Sequence, residues 1–198
     1  MAEISAELVK KLREKTGLGM MQCKEALAAS GGDMDKAVGY LRKKGLDTAG
    51  KRTGRATNQG LIASYIHVTG KIGVMVEVNC ESDFVARSDD FKELVKNLCM
   101  HVAATDPISV SAQDVPADVV AKEKEIYAEQ AKGKPAAIAD KIVEGKLKKF
   151  FAERCLLEQP YVKNTDQIVG DLVKEAIAKL GENISVRRFV RYELGEEL

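Results

Sequence analysis

The side chains able to do bond chemistry are few in this chain, and they stand apart. His67 and His101 are its two histidines, and its four cysteines, Cys23, Cys80, Cys99 and Cys155, include no C-x-x-C pair. That spacing offers neither a zinc-ligand set nor a redox dithiol, so the cysteines read as ordinary buried thiols. "VTGKIG" lacks the leading glycine spacing of a phosphate-binding G-x-x-x-x-G-K-[ST] loop and the helix that would follow it. Neither G-x-S-x-G nor H-E-x-x-H occurs, and no cysteine has an evident histidine partner. His67 lies in a β-rich run and His101 in an amphipathic stretch, where each reads as structural or surface rather than as a general base. Asp89 and Asp90 are adjacent, but they open a helical run, where the macrodipole favours acids. No catalytic residue, metal ligand or cofactor is therefore expected, and the chain reads as a non-enzyme.

What remains is an acid beside a large aromatic. "NCESDFVAR", residues 79–87, sets Asp83 and Phe84 between an apolar alternating run and an amphipathic one, where a short polar connection is the usual solution. Two readings follow from the residues. Phe84 folds back under the next helix as a core residue, which spacing by itself favours, or it is displayed to a partner.

The elements that must position this pair can be read from periodicity. In the first stretch Ser5 caps a helix with Leu8, Val9 and Leu12 on one face, ended by Thr16-Gly17. A second helix runs from Met20 to the stop at Gly31-Gly32, and Asp33 caps a third with Ala37, Val38 and Leu41 inward and Gly45 at its C-terminal cap. Residues 47–59, "DTAGKRTGRATNQ", carry no apolar period and read as a basic flexible linker, either a bare spacer or a phosphate or partner contact. "GLIASYIHV" and "KIGVMVEVNC" flank Thr69-Gly70 as a β-hairpin, with Val74, Val76 and Val78 on one face. Phe91, Leu94, Val95, Leu98, Cys99 and Val102 then fall at helical spacing. Three further helical stretches follow, with a break at Gly133-Pro135 and an end at Pro160, and "ENISVRRFVRYEL" reads as a last strand that joins the hairpin.

The expected fold is α+β: a three-helix module over residues 1–46, the linker 47–59, and a core over 60–198 with a small antiparallel sheet packed by helices. Lys and Arg total 31 against 30 acids in 198 residues, which argues against a general affinity for polyanions. The N-terminal stretch has no basic segment followed by an apolar one, and no window approaches a membrane span, so a cytoplasmic protein with no membrane partner is expected.

"EKTGLGMMQCKEAL", "GDMDKAVGYLRKKG", "VEVNCESDFVAR", "KIVEGKLKKFFAERCLLEQPYVK" and "NISVRRFVRYELGE", in that order, resemble the elongation factor Ts family, exchange factors for the translational GTPase elongation factor Tu. The resemblance implies that the N-terminal helices are a ubiquitin-associated-like module docking on the GTPase domain; Met20, Met21 and Lys24 are our candidate contacts there. A methionine pair in so small a module is otherwise a core filler. It further implies that Ser82, Asp83, Phe84 and Val85 disturb the partner's magnesium and phosphate site and so promote GDP release. Ser82 stands where the family usually has threonine, keeping the hydroxyl and losing a methyl. The short chain resembles the form of the family that pairs into a homodimer, with no direct nucleic-acid contact. Two rivals remain at this level: a general protein-binding adaptor, and an RNA-binding protein using "GKRTGR" and "RRFVRY".

Overall fold

The computed structural model describes residues 4–197; the first three residues and the last, which belong to the two sequence-derived domains, lie outside the described residues. Among the described residues eight α-helices and five strands follow one another as α1 (Ala6–Thr16), α2 (Met20–Ala29), α3 (Met34–Arg52), β1 (Gln59–Ile66), β2 (Ile72–Cys80), α4 (Asp83–Arg87), α5 (Asp89–Thr105), α6 (Ala117–Gln130), α7 (Ala136–Arg154), β3 (Pro160–Tyr161), β4 (Asn164–Ile168), α8 (Val169–Leu180) and β5 (Ile184–Glu193). The fold is α+β. Two compact units share the chain: one holds the chain up to Gly60 with Asn79–Lys92 and Val173–Ser185, the other holds Leu61–Val78, Glu93–Leu172 and the chain from Val186 on.

In the first unit the helix punctuation is local. Ser5 accepts the Leu8 N–H at 3.2 Å, and Asp33 Oδ1 accepts the N–H groups of Asp35 and Lys36, each at 3.0 Å. Gly17 ends α1 in the left-handed region, φ 68°, a geometry that costs a glycine little. Val9, Leu12, Cys23, Ala26, Leu27, Ala37 and Leu41 form the core of the three helices.

The third helix departs from expectation at its end. Gly45 does not cap it; α3 runs on to Arg52, so the first six positions of the stretch read as a linker are helical. The reason is tertiary. A side chain on Gly45 would bring its Cβ to 3.2 Å from Cβ of Ala178 on α8, so the glycine gives a second helix room to approach rather than a place to stop. Arg42 pairs with Glu175 at 3.5 Å, and Arg52 Nη1 donates to the Ile177 carbonyl at 2.9 Å, which joins the rest of α3 to the same helix. Periodicity within α3 carries no sign of a partner more than a hundred residues away.

The second unit is built on a sheet of order β1-β2-β5. The Thr69-Gly70 hairpin is present, with the Gly70 N–H on the His67 carbonyl at 2.7 Å and the His67 N–H on the Ile72 carbonyl at 2.9 Å. β5 runs antiparallel to β2: the Leu194 N–H meets the Lys71 carbonyl at 2.8 Å at one end, and Arg188 Nε meets Glu77 Oε2 at 2.7 Å further along. On the inner face Val74, Val76 and Val78 are buried. Cys99 Sγ of α5 reaches the Ala63 carbonyl at 3.6 Å from that side, and burial pushes its thiol up to about 11.

The end of α7 also differs from expectation. The helix stops at Arg154, and Pro160 opens a short β3–β4 hairpin instead of ending the helix. Backbone groups of residues 154–157 are taken by the segment 108–110: the Ile108 N–H donates to Arg154, Leu156 to Ser109 and Leu157 to Val110, at 2.8, 3.0 and 3.0 Å. A strand-like partner thus satisfies the groups that another helical turn would have used.

His101 is fully buried at this junction. Its Nδ1 accepts the Val162 N–H at 3.3 Å, so Nε2 carries the proton and donates to Gln159 Oε1 at 2.9 Å. Burial holds its pKa below the ordinary histidine value. A proton added at Nδ1 would face another donor, so the folded chain takes it up only at lower pH than the unfolded chain, which accepts it near pH 6.5. The stability tied to His101 is therefore complete above about pH 6.5 and is lost as pH falls below it, with a slope of at most ~1.4 kcal/mol per pH unit. Urea midpoints between pH 7.5 and 5 are expected to show this loss in the natural chain and a smaller one in His101→Gln.

Candidate functional site

Ser82 follows β2 and caps a helix of five residues, α4, its Oγ accepting the Val85 N–H at 3.4 Å. The predicted loop tip is thus one helical turn. Asp83, in its first turn, pairs with Arg87 at 2.9 Å, four residues on. Val85 and Ala86 point inward and are buried, which seats the turn, whereas Phe84 is 82% exposed. The folded-back alternative for Phe84 is not what the chain adopts.

The turn is anchored from both directions. At its far end Ser88 Oγ donates to the Val85 carbonyl at 2.7 Å and accepts the Phe91 N–H at 3.3 Å, which ties α4 to the buried start of α5. At its near end Glu182, in the turn between α8 and β5, accepts the Ser82 hydroxyl at 2.6 Å on Oε1 and the Ser82 N–H at 2.9 Å on Oε2. Glu81 returns the contact, accepting the Asn183 N–H at 2.6 Å and lying 3.6 Å from Arg55 Nη1. Asn183 Nδ2 donates to the Arg55 carbonyl at 2.9 Å. Cys80 Sγ lies 3.1 Å from the Ser82 carbonyl, and burial, with the Glu182 charge second, raises its pKa so that it stays a thiol.

Sequence reasoning missed Arg55, Glu81, Glu182 and Asn183. The one available signal was turn composition: Gly181, at φ 83°, breaks α8 just before Glu182. Nothing local assigns that carboxylate to Ser82, which lies 100 positions earlier.

Met20, Met21 and Lys24 sit on the exposed side of α2, at 44% and 77% exposure for the two methionines, while Cys23, Ala26 and Leu27 fill the core. The core-filler reading of the methionines gives way to an apolar surface beside a cation. These residues and the Asp83–Phe84 turn belong to one unit, and Lys179 of α8 touches both neighbourhoods: its Nζ lies 2.7 Å from Asp90 Oδ1, and its side chain lies over Gly17 between α1 and α2.

Among the described residues no three of His, Cys, Asp and Glu are placed to hold a metal ion. Of the cations that an RNA reading needs, Arg52 and Arg55 are engaged as above, Arg188 pairs with Glu77, and Arg191 with Asp106 and Glu193. No described helix is long and apolar enough to cross a membrane. An exposed aromatic and acid on a braced turn suit contact with another macromolecule.

Comparison with known proteins bears on which one. The sequence profile described as Elongation factor TS matches residues 47–196. A protein named elongation factor Ts from Desulfosudis oleivorans is 59% identical over 99% of this chain and 100% of its own length. Namesakes from Moorella thermoacetica and Fervidobacterium nodosum are 58% and 57% identical, each over 98% of this chain and over 96% and 100% of their own lengths. With the profile spanning most of the chain and relatives this similar from end to end, the chain belongs to the elongation factor Ts family.

Proposed function

We propose that the chain is a translation elongation factor that acts as a guanine-nucleotide exchange factor: it binds elongation factor Tu carrying GDP, perturbs the magnesium and phosphate site of that GTPase and promotes GDP release. The observation that carries this reading is Phe84, 82% exposed beside Asp83 on a turn braced at both ends. A GTPase holds its nucleotide through backbone donors, a lysine and a magnesium ion, so release needs several of these contacts to weaken together. A factor that binds the nucleotide-free state more tightly must, by linkage, lower nucleotide affinity by the same factor, and a thousandfold loosening takes ~4 kcal/mol of differential binding. Phe84 buried in a pocket of the partner contributes part of that. The Asp83 carboxylate competes for donors that support the metal or the phosphates. No bond is made or broken by the factor, so it is not an enzyme.

Met20, Met21 and Lys24, on the ubiquitin-associated-like module, dock on the same GTPase domain. We place the domain bounds at 1–46, 47–59 and 60–198, with residues 47–52 of the middle stretch continuing α3 as helix, and the cytoplasm as the site of action. The factor pairs into a homodimer through the outer face of its sheet, where Ile62, Ile66, Met75 and Tyr192 are 57%, 65%, 50% and 66% exposed. The test is the release of fluorescent GDP from purified elongation factor Tu. Acceleration by substoichiometric factor is the expected result; release at the spontaneous rate would sink the proposal.

A further inference from the structure

A helix of five residues has no stability of its own. Forming the first helical turn orders several residues for one hydrogen bond, and isolated helices below about a dozen residues are marginal in water. α4 therefore takes its geometry from what grips it. Phe84, 82% exposed, adds no packing, so the direction of its ring follows the backbone from Ser82 to Val85.

The fixed point of that backbone lies outside the loop. Glu182 uses both carboxylate oxygens on Ser82, one on the N–H and one on the hydroxyl. The second bond takes the only hydroxyl proton and turns the Oγ lone pairs to the helix, where they accept the Val85 N–H. An anion also suits the start of a helix, where unpaired N–H groups gather. Glu182 is in turn held by its neighbours. Gly181 breaks α8 in the left-handed region, and Asn183 is tied by its N–H to Glu81 and by its amide to Arg55. Two carboxylates thus cross between the same two turns, Glu182 to Ser82 and Glu81 to Asn183.

We propose that Glu182 is the positioning residue of the exchange site: its carboxylate clamps Ser82 so that Asp83 and Phe84 are presented in one orientation before the partner arrives. The inference rests on the exchange reading above. A turn that must be ordered during the encounter loses part of its binding free energy to that ordering, and the loss falls on the state that needs Phe84 in place. Docking through other surfaces is untouched.

Glu182→Gln keeps the shape and replaces one of the two acceptors by a donor, which competes with Val85 for the Ser82 lone pair. In the free chain, amide hydrogen exchange is expected to quicken at Val85 and Ala86 and to stay unchanged in α1 and α2. In GDP release from elongation factor Tu, the maximal rate is expected to fall about tenfold, with the half-saturating concentration changed less than about twofold. Ser82→Ala, which opens the same clamp from the other side, gives a similar fall. On a Phe84→Ala background E182Q adds no further loss, because a misaimed ring and a missing ring fail alike. A natural maximal rate with E182Q, or losses that multiply in the double variant, overturns the clamp and leaves exchange standing. Natural-chain release at the spontaneous rate overturns exchange, and the clamp with it.

Discussion

Phe84→Ala is expected to lower the acceleration of GDP release by roughly 30- to 150-fold, equivalent to ~2 to 3 kcal/mol of lost burial at the partner. The effect is large because the ring is idle in the free chain. It is 82% exposed, so the folded state spends almost none of its transfer free energy and the complex can use nearly all of it. For the same reason stability barely moves: exposed substitutions away from special backbone positions stay within about 0.5 kcal/mol, so the urea midpoint of Phe84→Ala matches that of the natural chain. The contrast with Val85 is a useful control. Val85 is 5% exposed beneath the same turn, so its truncation to alanine lowers stability first and exchange only as a consequence. Stopped-flow release with labelled GDP, run beside denaturant titrations, separates the two. An unaltered release rate with Phe84→Ala removes the role given to the ring.

Met75→Glu is expected to convert the homodimer we propose to monomers, raising its dissociation constant at least about 100-fold. Met75 lies on the central strand of the sheet, on its outer face, flanked by Ile62 and Ile66 on β1 and by Val190 and Tyr192 on β5. Ile66 lies over Gly73, where a Cβ would stand 3.1 Å from its Cδ1, so the apolar surface continues across the strands. In a two-fold interface every substitution occurs twice, and each new carboxylate is buried without a partner. The protomer itself tolerates the change because position 75 is 50% exposed in the isolated chain. Sedimentation equilibrium at micromolar concentration measures both species. A natural chain that sediments as a monomer defeats the pairing proposal; a Met75→Glu dimer moves the interface elsewhere.

How much of this was legible beforehand differs from element to element. Helix starts at Ser5 and Asp33, the stop at Gly17 and the Thr69-Gly70 hairpin were readable because each rests on hydrogen bonds within four residues of itself. Alternation in β2 likewise foretold its buried face, since a strand with one face covered must place apolar residues at every second position. Gly45 was misread because a glycine that caps a helix and one that admits a neighbouring helix look the same in one dimension. The end of α7 was misplaced because the backbone of residues 154–157 bonds to a segment more than forty positions earlier, and no local pattern records that.

The site divides along the same line. Residue order alone placed an acid and an aromatic between a strand and a helix, and the ordered motifs tied the chain to its family. Whether Phe84 turned inward or outward was decided by the tertiary structure, through Val85 and Ala86 seated below and Glu182 gripping Ser82 across 100 positions of chain. Hydrogen bonds between near neighbours leave a trace in the spacing of residues. A carboxylate brought in by the fold leaves none, because its position depends on the path of everything between.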